Sequence, residues 1–220
     1  MAIKAILFGS IGTIVETSNI QRNCFNSAFK ISGLKWYWSK KLYQSMLKKS
    51  GGEKRVKKFS LEKKTLVDAK KIRNLKTLIF NNYLKKNKLK PRDGVINVIK
   101  YCKKNKIKIG FVTSTTKNNI DAVFISLNKY LKKSDFDYIG HNKIIKKFNN
   151  KTDIYLHCLK KLKLSNKDCL AIEDTEISFK YAKKAKLRCV AFPGDYHRSG
   201  KYKDSFIKVK RLNSKIFADL

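Results

Sequence analysis

The chain has 220 residues, a hydrophobic content of 42% and a formal net charge of +36. This length and apolar content are those of a globular domain and argue against a largely disordered chain. No apolar run approaches the roughly 18 residues that span a bilayer, and no secretory signal is recognisable, so we expect a cytoplasmic protein with no membrane partner.

The first predicted element is a buried strand over residues 5–8. Its apolar side chains end at Phe8, and the sequence GSIGT follows at residues 9–13. A short apolar run bounded by glycines is typical of a buried strand that leads into a tight loop. Ligands of open parallel sheets bind where such strands end. The loop carries no carboxylate, cysteine, histidine or lysine, so its reactive side chains are the hydroxyls of Ser10 and Thr13.

Residues 16–87 are predicted to be helical, because apolar side chains recur at helical spacing and no strand pattern interrupts them. Strand and helix patterns then alternate from the turn at residues 91–94. The further strands are predicted at 107–112, 136–139, 169–172 and 188–192, and the further helices at 95–102, 118–127, 154–164 and 176–184. Repeated strand–helix units predict an α/β protein with a doubly wound, Rossmann-like parallel sheet and right-handed crossovers. We assign residues 1–15 and 88–220 to this core and residues 16–87 to an inserted helical domain.

Three predicted strands end in polar loops, at residues 9–13, 113–116 and 173–175. In a parallel sheet these ends share one edge, so the loops are expected to converge. Hydroxyls such as those of Thr113 and Ser114, together with backbone amides, suit a phosphate group. The adjacent carboxylates of Glu173 and Asp174 suit Mg²⁺. The alternative is that the threonines only cap a helix and the acids only begin one near its positive end.

The same segments resemble the motifs of the haloacid dehalogenase superfamily, in the group of phosphoglycolate phosphatase and β-phosphoglucomutase. FGSIGTIVET at 8–17 resembles the first motif, FDxDGTLVDT, and GFVTS at 110–114 resembles the second. KKFNNKTDIY at 146–155 is similar to the third, and CLAIEDT at 169–175 to the fourth. The resemblance covers nearly the whole chain and implies a helical cap domain at 16–87, phosphatase chemistry and a Mg²⁺ cofactor. The third-motif lysine is Lys147 or Lys151, with Lys147 preferred.

The first motif departs from the family at its two catalytic positions. Gly9 stands where the family has its nucleophilic aspartate, and Ile11 stands where it has its general acid–base aspartate. Glycine cannot form an aspartyl-phosphate, and isoleucine cannot protonate a leaving group. The family mechanism therefore predicts an inactive site, and Glu173 and Asp174 lose a partner for Mg²⁺. Ser10 and Glu16 remain as candidate substitutes, although Ser10 is expected to face the other side of the strand end.

Three functional hypotheses follow. In the first, the chain binds a phosphorylated metabolite or a protein partner without hydrolysis, through a phosphate site formed by Gly9, Ser10, Gly12, Thr13, Thr113, Ser114 and Lys147. In the second, it is an active hydrolase of a small phosphate ester that uses Ser10 or Glu16. In the third, its basic charge binds nucleic acid. Lysines spread along the whole chain favour solvated outer faces with nonspecific attraction to polyanions.

Overall fold

A computed structural model describes residues 3–48, 51–144 and 150–218. The described residues form one wholly parallel sheet in the order β3-β2-β1-β4-β5-β6. Its strands are β1 (Ala5–Phe8), β2 (Lys108–Phe111), β3 (Tyr138–Ile139), β4 (Cys169–Glu173), β5 (Arg188–Ala191) and β6 (Ile207–Lys208). The predicted doubly wound parallel sheet is confirmed. The sequence did not reveal β6, because its two residues are exposed at the sheet edge and carry no buried apolar run.

The helices lie between and around these strands. They are α1 (Ile11–Ile14), α2 (Ser18–Ile31), α3 (Lys40–Met46), α4 (Gly52–Glu62), α5 (Ala69–Lys86), α6 (Val95–Lys104), α7 (Lys117–Ser126), α8 (Lys151–Leu162), α9 (Glu176–Lys184) and α10 (Lys215–Ala218). The loop expected at 9–13 therefore contains a short helix, α1. Helix α8 begins three residues before the predicted start, because the Asn150 side chain caps it by accepting from the Thr152 amide at 2.9 Å.

The sheet separates two apolar layers, because successive side chains of a strand point to opposite faces. Ile6 and Phe8 of β1 pack with residues of α5, α6 and α7 on one face. Ala5 and Leu7 pack with α8 and α9 on the other. Since β1 is buried on both faces, its continuous apolar run places it at the centre of the sheet. All five cysteines are buried free thiols.

Among the described positions, residues 16–87 contain helices α2 to α5 and no strand. Their aromatic side chains form a separate cluster around Trp38, whose ring centroid lies 4.7 Å from that of Phe25 and 5.6 Å from that of Tyr43. Helix α5 extends beyond this cluster, so that Phe80 and Leu84 join the core beside the sheet. None of the described helices is both long enough and apolar enough to span a bilayer.

Candidate active site

A cleft of about 400 Å³ lies at the carboxyl ends of β1, β2 and β4. Its sheet side is lined by Ser10, Ile11, Gly12, residues 113–116 and Asp174. Its helical side is lined by residues that include Thr17, Gln21, Tyr43, Arg55 and Arg73. The three polar loops identified in the sequence thus meet in one place, which we call the strand-end cleft.

Gly9 lies beneath this cleft and does not line it. Its amide donates to the carbonyl of Ile172 at 2.9 Å and so extends the pairing of β1 with β4. A Cβ atom added to Gly9 would overlap Glu173 Oε1 and the hydroxyl of Tyr155, closer than non-bonded atoms approach. The space that a side chain at position 9 requires is therefore already filled.

The group that fills this space is a buried cluster centred on the Glu173 carboxylate. Its Oε1 atom lies 2.6 Å from Lys151 Nζ and accepts from the hydroxyl of Tyr155 at 2.7 Å. Its Oε2 atom is buried without a hydrogen-bond partner among the described residues. Burial raises the pKa of Glu173 to about 7, although the ammonium of Lys151 opposes the rise.

These contacts bear on the choice between the two candidate lysines of the third motif. Lys151 lies at the strand end, because the cap at Asn150 turns the first residue of α8 inward. Lys147, which the sequence favoured, lies outside the described residues.

Ser10 and Asp174 form a second pair, on the wall of the cleft. Ser10 Oγ donates to Asp174 Oδ1, and the same carboxylate packs against Gly12, where a Cβ atom would overlap Oδ2. The expectation that Ser10 faces away from the site is wrong. Helix α1 begins immediately after Ser10 and turns the backbone, which brings the hydroxyl into the cleft.

Two other residues proposed from the first motif have structural partners. Both carboxylate oxygens of Glu16 accept backbone amides, from Ser18 at 2.8 Å and from Asp195 at 2.7 Å. Thr13 is fully buried, and its hydroxyl donates to the carbonyl of Ser10 at 2.7 Å. Glu16 lies on the cleft wall. The structure corrects the placement of Thr13, as it does that of Gly9, because neither lines the cleft.

The alternative interpretation, that residues of the polar loops only cap helices, holds for some of these residues and not for others. Thr116 caps α7 by accepting from the Asn119 amide at 3.3 Å, and Thr175 caps α9 by accepting from the Ser178 amide at 3.1 Å. Thr113 and Ser114 precede the cap, and both line the cleft. Helix capping therefore does not account for these two hydroxyls or for the acids at 173 and 174.

Arg92, which the sequence placed only in a turn, connects two of the loops at the strand ends. Its Nη1 atom donates to the carbonyls of Gly12 at 2.7 Å and Phe192 at 2.9 Å, and its Nη2 atom donates to that of Pro193 at 2.7 Å. The guanidinium also lies 3.4 Å from the ring centroid of Phe192. Burial lowers the pKa of Arg92, while the charge of Asp174 opposes this change. Arg92 thus holds the floor of the cleft to the loop after β5.

The sequence analysis also did not predict the cationic groups on the helical side of the cleft. Arg55 and Arg73 line the cleft, whereas none of the lysines that the structure describes does so. Lys76 lies behind them, with Nζ 2.8 Å from Gln21 Oε1, and burial lowers its pKa to about 8. No local pattern distinguishes these residues from the many exposed cations. Only the packing of α2, α4 and α5 decides which of them face the sheet.

The donors present do not fit a Mg²⁺ site. Glu173 is engaged by Lys151 and Tyr155, Asp174 by Ser10, and Gly9 supplies no ligand. Within the described ranges, no three carboxylate, histidine or cysteine side chains come together as metal ligands. We therefore derive no step through a metal ion.

Comparison with known proteins gives the family. The model for haloacid dehalogenase-like hydrolases matches residues 6–192. The chain belongs to the haloacid dehalogenase-like hydrolase family. Protein CbbY of Rhodobacter capsulatus is 29% identical over 217 residues, which cover 97% of this chain and 96% of that protein. Protein CbbY of Cereibacter sphaeroides is 29% identical over 199 residues, covering 89% and 86%.

Solved structures similar to this chain agree with this family assignment. A mutant of CbbY from Rhodobacter sphaeroides, solved in complex with xylulose 1,5-bisphosphate, superposes with a TM-score of 0.83 at 26% identity and covers 95% of this chain and 94% of that one. The same protein has been solved with phosphate. β-Phosphoglucomutase from Clostridium difficile, at 22% identity and a TM-score of 0.74 over 95% of this chain and 91% of that one, shows the shared fold alone. The family and group predicted from the four motifs are confirmed.

Proposed function

We propose that this chain binds a phosphorylated metabolite in the strand-end cleft and does not hydrolyse it. The observation that carries the proposal is the combination of Gly9 with the Glu173 carboxylate that fills the adjoining space. The mechanism that the family resemblance implies transfers the phosphoryl group to a carboxylate nucleophile at the strand end. Position 9 has neither that group nor room for it, and Ile11 provides no proton for a leaving alcohol.

The lining of the cleft supports binding of an anion. Arginine is rare in this chain, yet Arg55 and Arg73 both lie on the helical wall. The planar guanidinium presents paired donors that match the oxygens of a phosphoryl group, which lysine does not. Opposite them lie the hydroxyls of Thr113 and Ser114, which can donate to phosphoryl oxygens, whereas the Ser10 proton is already donated to Asp174. Cationic and neutral donors thus face each other across the same space, whose walls also carry the carboxylates of Glu16 and Asp174.

A small sugar bisphosphate is the ligand class that this arrangement suits best. Each wall offers its own anion-binding groups, so a ligand with a phosphoryl group at both ends would use both walls. The structure of CbbY from Rhodobacter sphaeroides in complex with xylulose 1,5-bisphosphate supports the same class. We therefore propose a sugar bisphosphate, and xylulose 1,5-bisphosphate is the first compound to test.

One observation favours a second candidate, a hydrolase with relocated chemistry. Ser10 Oγ already donates to Asp174, so the carboxylate is placed to take the hydroxyl proton. Ser10 Oγ would attack phosphorus, the bond from phosphorus to the substrate oxygen would break, and Asp174 would return the proton to the departing alkoxide. Water would then hydrolyse the phosphoserine to inorganic phosphate. Glu16, with both oxygens engaged by amides, is the weaker substitute.

Calorimetry and a phosphate-release assay on the whole chain separate the two candidates. We expect xylulose 1,5-bisphosphate to bind saturably, and inorganic phosphate more weakly, with no phosphate released at any Mg²⁺ concentration. Absence of binding for both probes would overturn the binding proposal. Phosphate release that Ser10→Ala abolishes, and that Glu16→Gln leaves intact, would establish the second candidate instead.

A further inference from the structure

The loop after β5 leaves the sheet and enters the helical cluster. Tyr196 in this loop is 2% exposed and packs among the cluster's aromatic side chains. Its ring centroid lies 6.0 Å from that of Tyr43 and 5.7 Å from Lys40 Nζ. Its hydroxyl donates to Asn19 Oδ1 at the beginning of α2. A residue that belongs in sequence to the sheet half of the chain is thus a core residue of the helical half.

Both ends of this loop are anchored at the cleft. The Pro193 carbonyl accepts from Arg92 at 2.7 Å, and the amide of Gly194 donates to the Asp174 carbonyl at 3.1 Å. Three residues later, the carbonyl of His197 accepts from the Tyr202 hydroxyl at 3.3 Å. His197 lines the strand-end cleft. The loop is therefore fixed at the sheet and reaches out to hold the helical wall.

A second hydrogen bond joins the same two parts of the chain. Glu16 Oε2 accepts from the amide of Asp195, while its Oε1 accepts from the amide of Ser18, the first residue of α2. One carboxylate thus ties the start of α2 to the residue that precedes Tyr196. The loop meets the helical wall through these bonds and one buried ring.

Other connections between the two halves are apolar: Ile20 and Cys24 of α2 pack against the sheet-side core, and α5 spans both clusters. Helix α5 is continuous from the aromatic cluster, where Ile72 packs, to the sheet-side core, where Phe80 and Leu84 pack beside α7. Breaking it would expose several apolar side chains of one rigid helix. Separating Tyr196 from Asn19 and Tyr43 would expose one ring and break few hydrogen bonds. Local opening takes the route that exposes the least apolar surface.

We infer that residues 193–197 form a releasable strap, in which Tyr196 holds the helical wall closed over the strand-end cleft and α5 acts as the fixed side about which the wall opens. The strap itself follows from the contacts above. Its role in admitting a ligand rests on the proposed function, because the site that it closes is the proposed binding cleft.

Hydrogen–deuterium exchange of the whole chain without ligand tests the strap. Tyr196→Phe removes the hydroxyl that bonds Asn19, and Asn19→Ala removes the same bond from the other side. Each should raise exchange at residues 16–19 and 195–198 about fivefold, the factor that an ordinary hydrogen bond contributes to an equilibrium, and should leave α5 and α7 unchanged. Tyr138→Phe is the matched control, because Tyr138 is also buried and its hydroxyl bonds one side chain, that of His157, at 2.9 Å.

Unchanged exchange at 16–19 and 195–198 in both variants would overturn the strap. So would an equal rise along β1 and β4, which would indicate general destabilisation. The ligand step is measured separately with xylulose 1,5-bisphosphate, whose association rate should rise in Tyr196→Phe and not in Tyr138→Phe. Failure of this probe to bind any variant would count against the proposed function alone, since the exchange measurement needs no ligand.

Discussion

The carboxylate of Glu173 lies against Gly9, in the space where a side chain at position 9 would begin. The glycine and the acid are therefore coupled, because this position of the carboxylate requires that residue 9 has no Cβ. The same carboxylate is paired with the buried ammonium of Lys151 at 2.6 Å. Glu173 and Lys151 thus form a buried ion pair beneath the cleft.

Restoring the aspartate of the first motif should therefore fail to restore catalysis. Gly9→Asp must displace Glu173 and Tyr155, so we expect a loss of about 1–3 kcal/mol in the free energy of unfolding, as for other overpacked cores, and no phosphatase activity. Urea denaturation measures the loss. The double variant Gly9→Asp/Glu173→Ala should recover part of it, since Lys151 would again face a carboxylate. A single variant as stable as the wild type would contradict the steric argument.

Removing the partner of Glu173 should be costly. Lys151→Met leaves a fully buried acid without its cation, and we expect a loss of about 3–5 kcal/mol at about pH 9, where the acid would be ionised. Lys4→Met is the matched control: Lys4 pairs with Asp168 at 2.9 Å, but Lys4 is largely exposed, so its removal should cost less than about 1 kcal/mol. Equal losses in the two variants would show that burial of the pair at Lys151 has no special weight.

Stability should also depend on pH through Glu173. Burial raises its pKa from an ordinary 4.5 to about 7, so the folded state holds this proton more tightly than the unfolded state does. The stabilisation from protonation is complete below about pH 4.5 and is lost as the pH rises through about 7. Denaturation at a series of pH values should show this loss, and Glu173→Gln should flatten it. An unaltered profile in the variant would assign the dependence to other groups.

The helical wall should contribute directly to ligand affinity. Arg73→Met removes a guanidinium from the cleft, and we expect xylulose 1,5-bisphosphate to bind about tenfold more weakly, the effect of one charge-assisted contact. Arg188→Met is the control, because Arg188 lies at the start of β5 and does not line the cleft. Calorimetry compares the two variants. Equal affinities would remove Arg73 from the proposed site.

The geometry of Arg92 should matter more than its charge. Arg92→Lys keeps a cation but cannot reach the carbonyls of Gly12, Phe192 and Pro193 together. We expect a loss of about 2 kcal/mol in the free energy of unfolding, because carbonyls bonded to a charged group lose their partner. Arg211→Lys, at an exposed position, should change little. If both substitutions were neutral in urea denaturation, the loops would not depend on this clamp.

Much of the fold follows from local patterns in the sequence. The apolar run at Ala5–Phe8 forms a central parallel strand that is buried on both faces. A continuous apolar run of this kind predicts such a strand from the sequence. The predicted strands and helices appear with small changes at their ends, of which the largest is the start of α8, three residues earlier than predicted. Short edge elements such as β6 were missed, because two exposed residues carry no periodic signal.

The sequence by itself determined that Gly9 and Ile11 stand where the resemblance to the family implies its two catalytic aspartates. Only the tertiary structure decided what replaces them. It brought Glu173 into the space at Gly9, paired Ser10 with Asp174, turned Arg55 and Arg73 toward the cleft, and buried Tyr196 among the helices. The physical reason is the distance along the chain over which each kind of interaction acts. Periodicity and capping act over a few neighbouring residues, whereas these contacts join residues far apart in the chain, which only the packing of whole elements brings together.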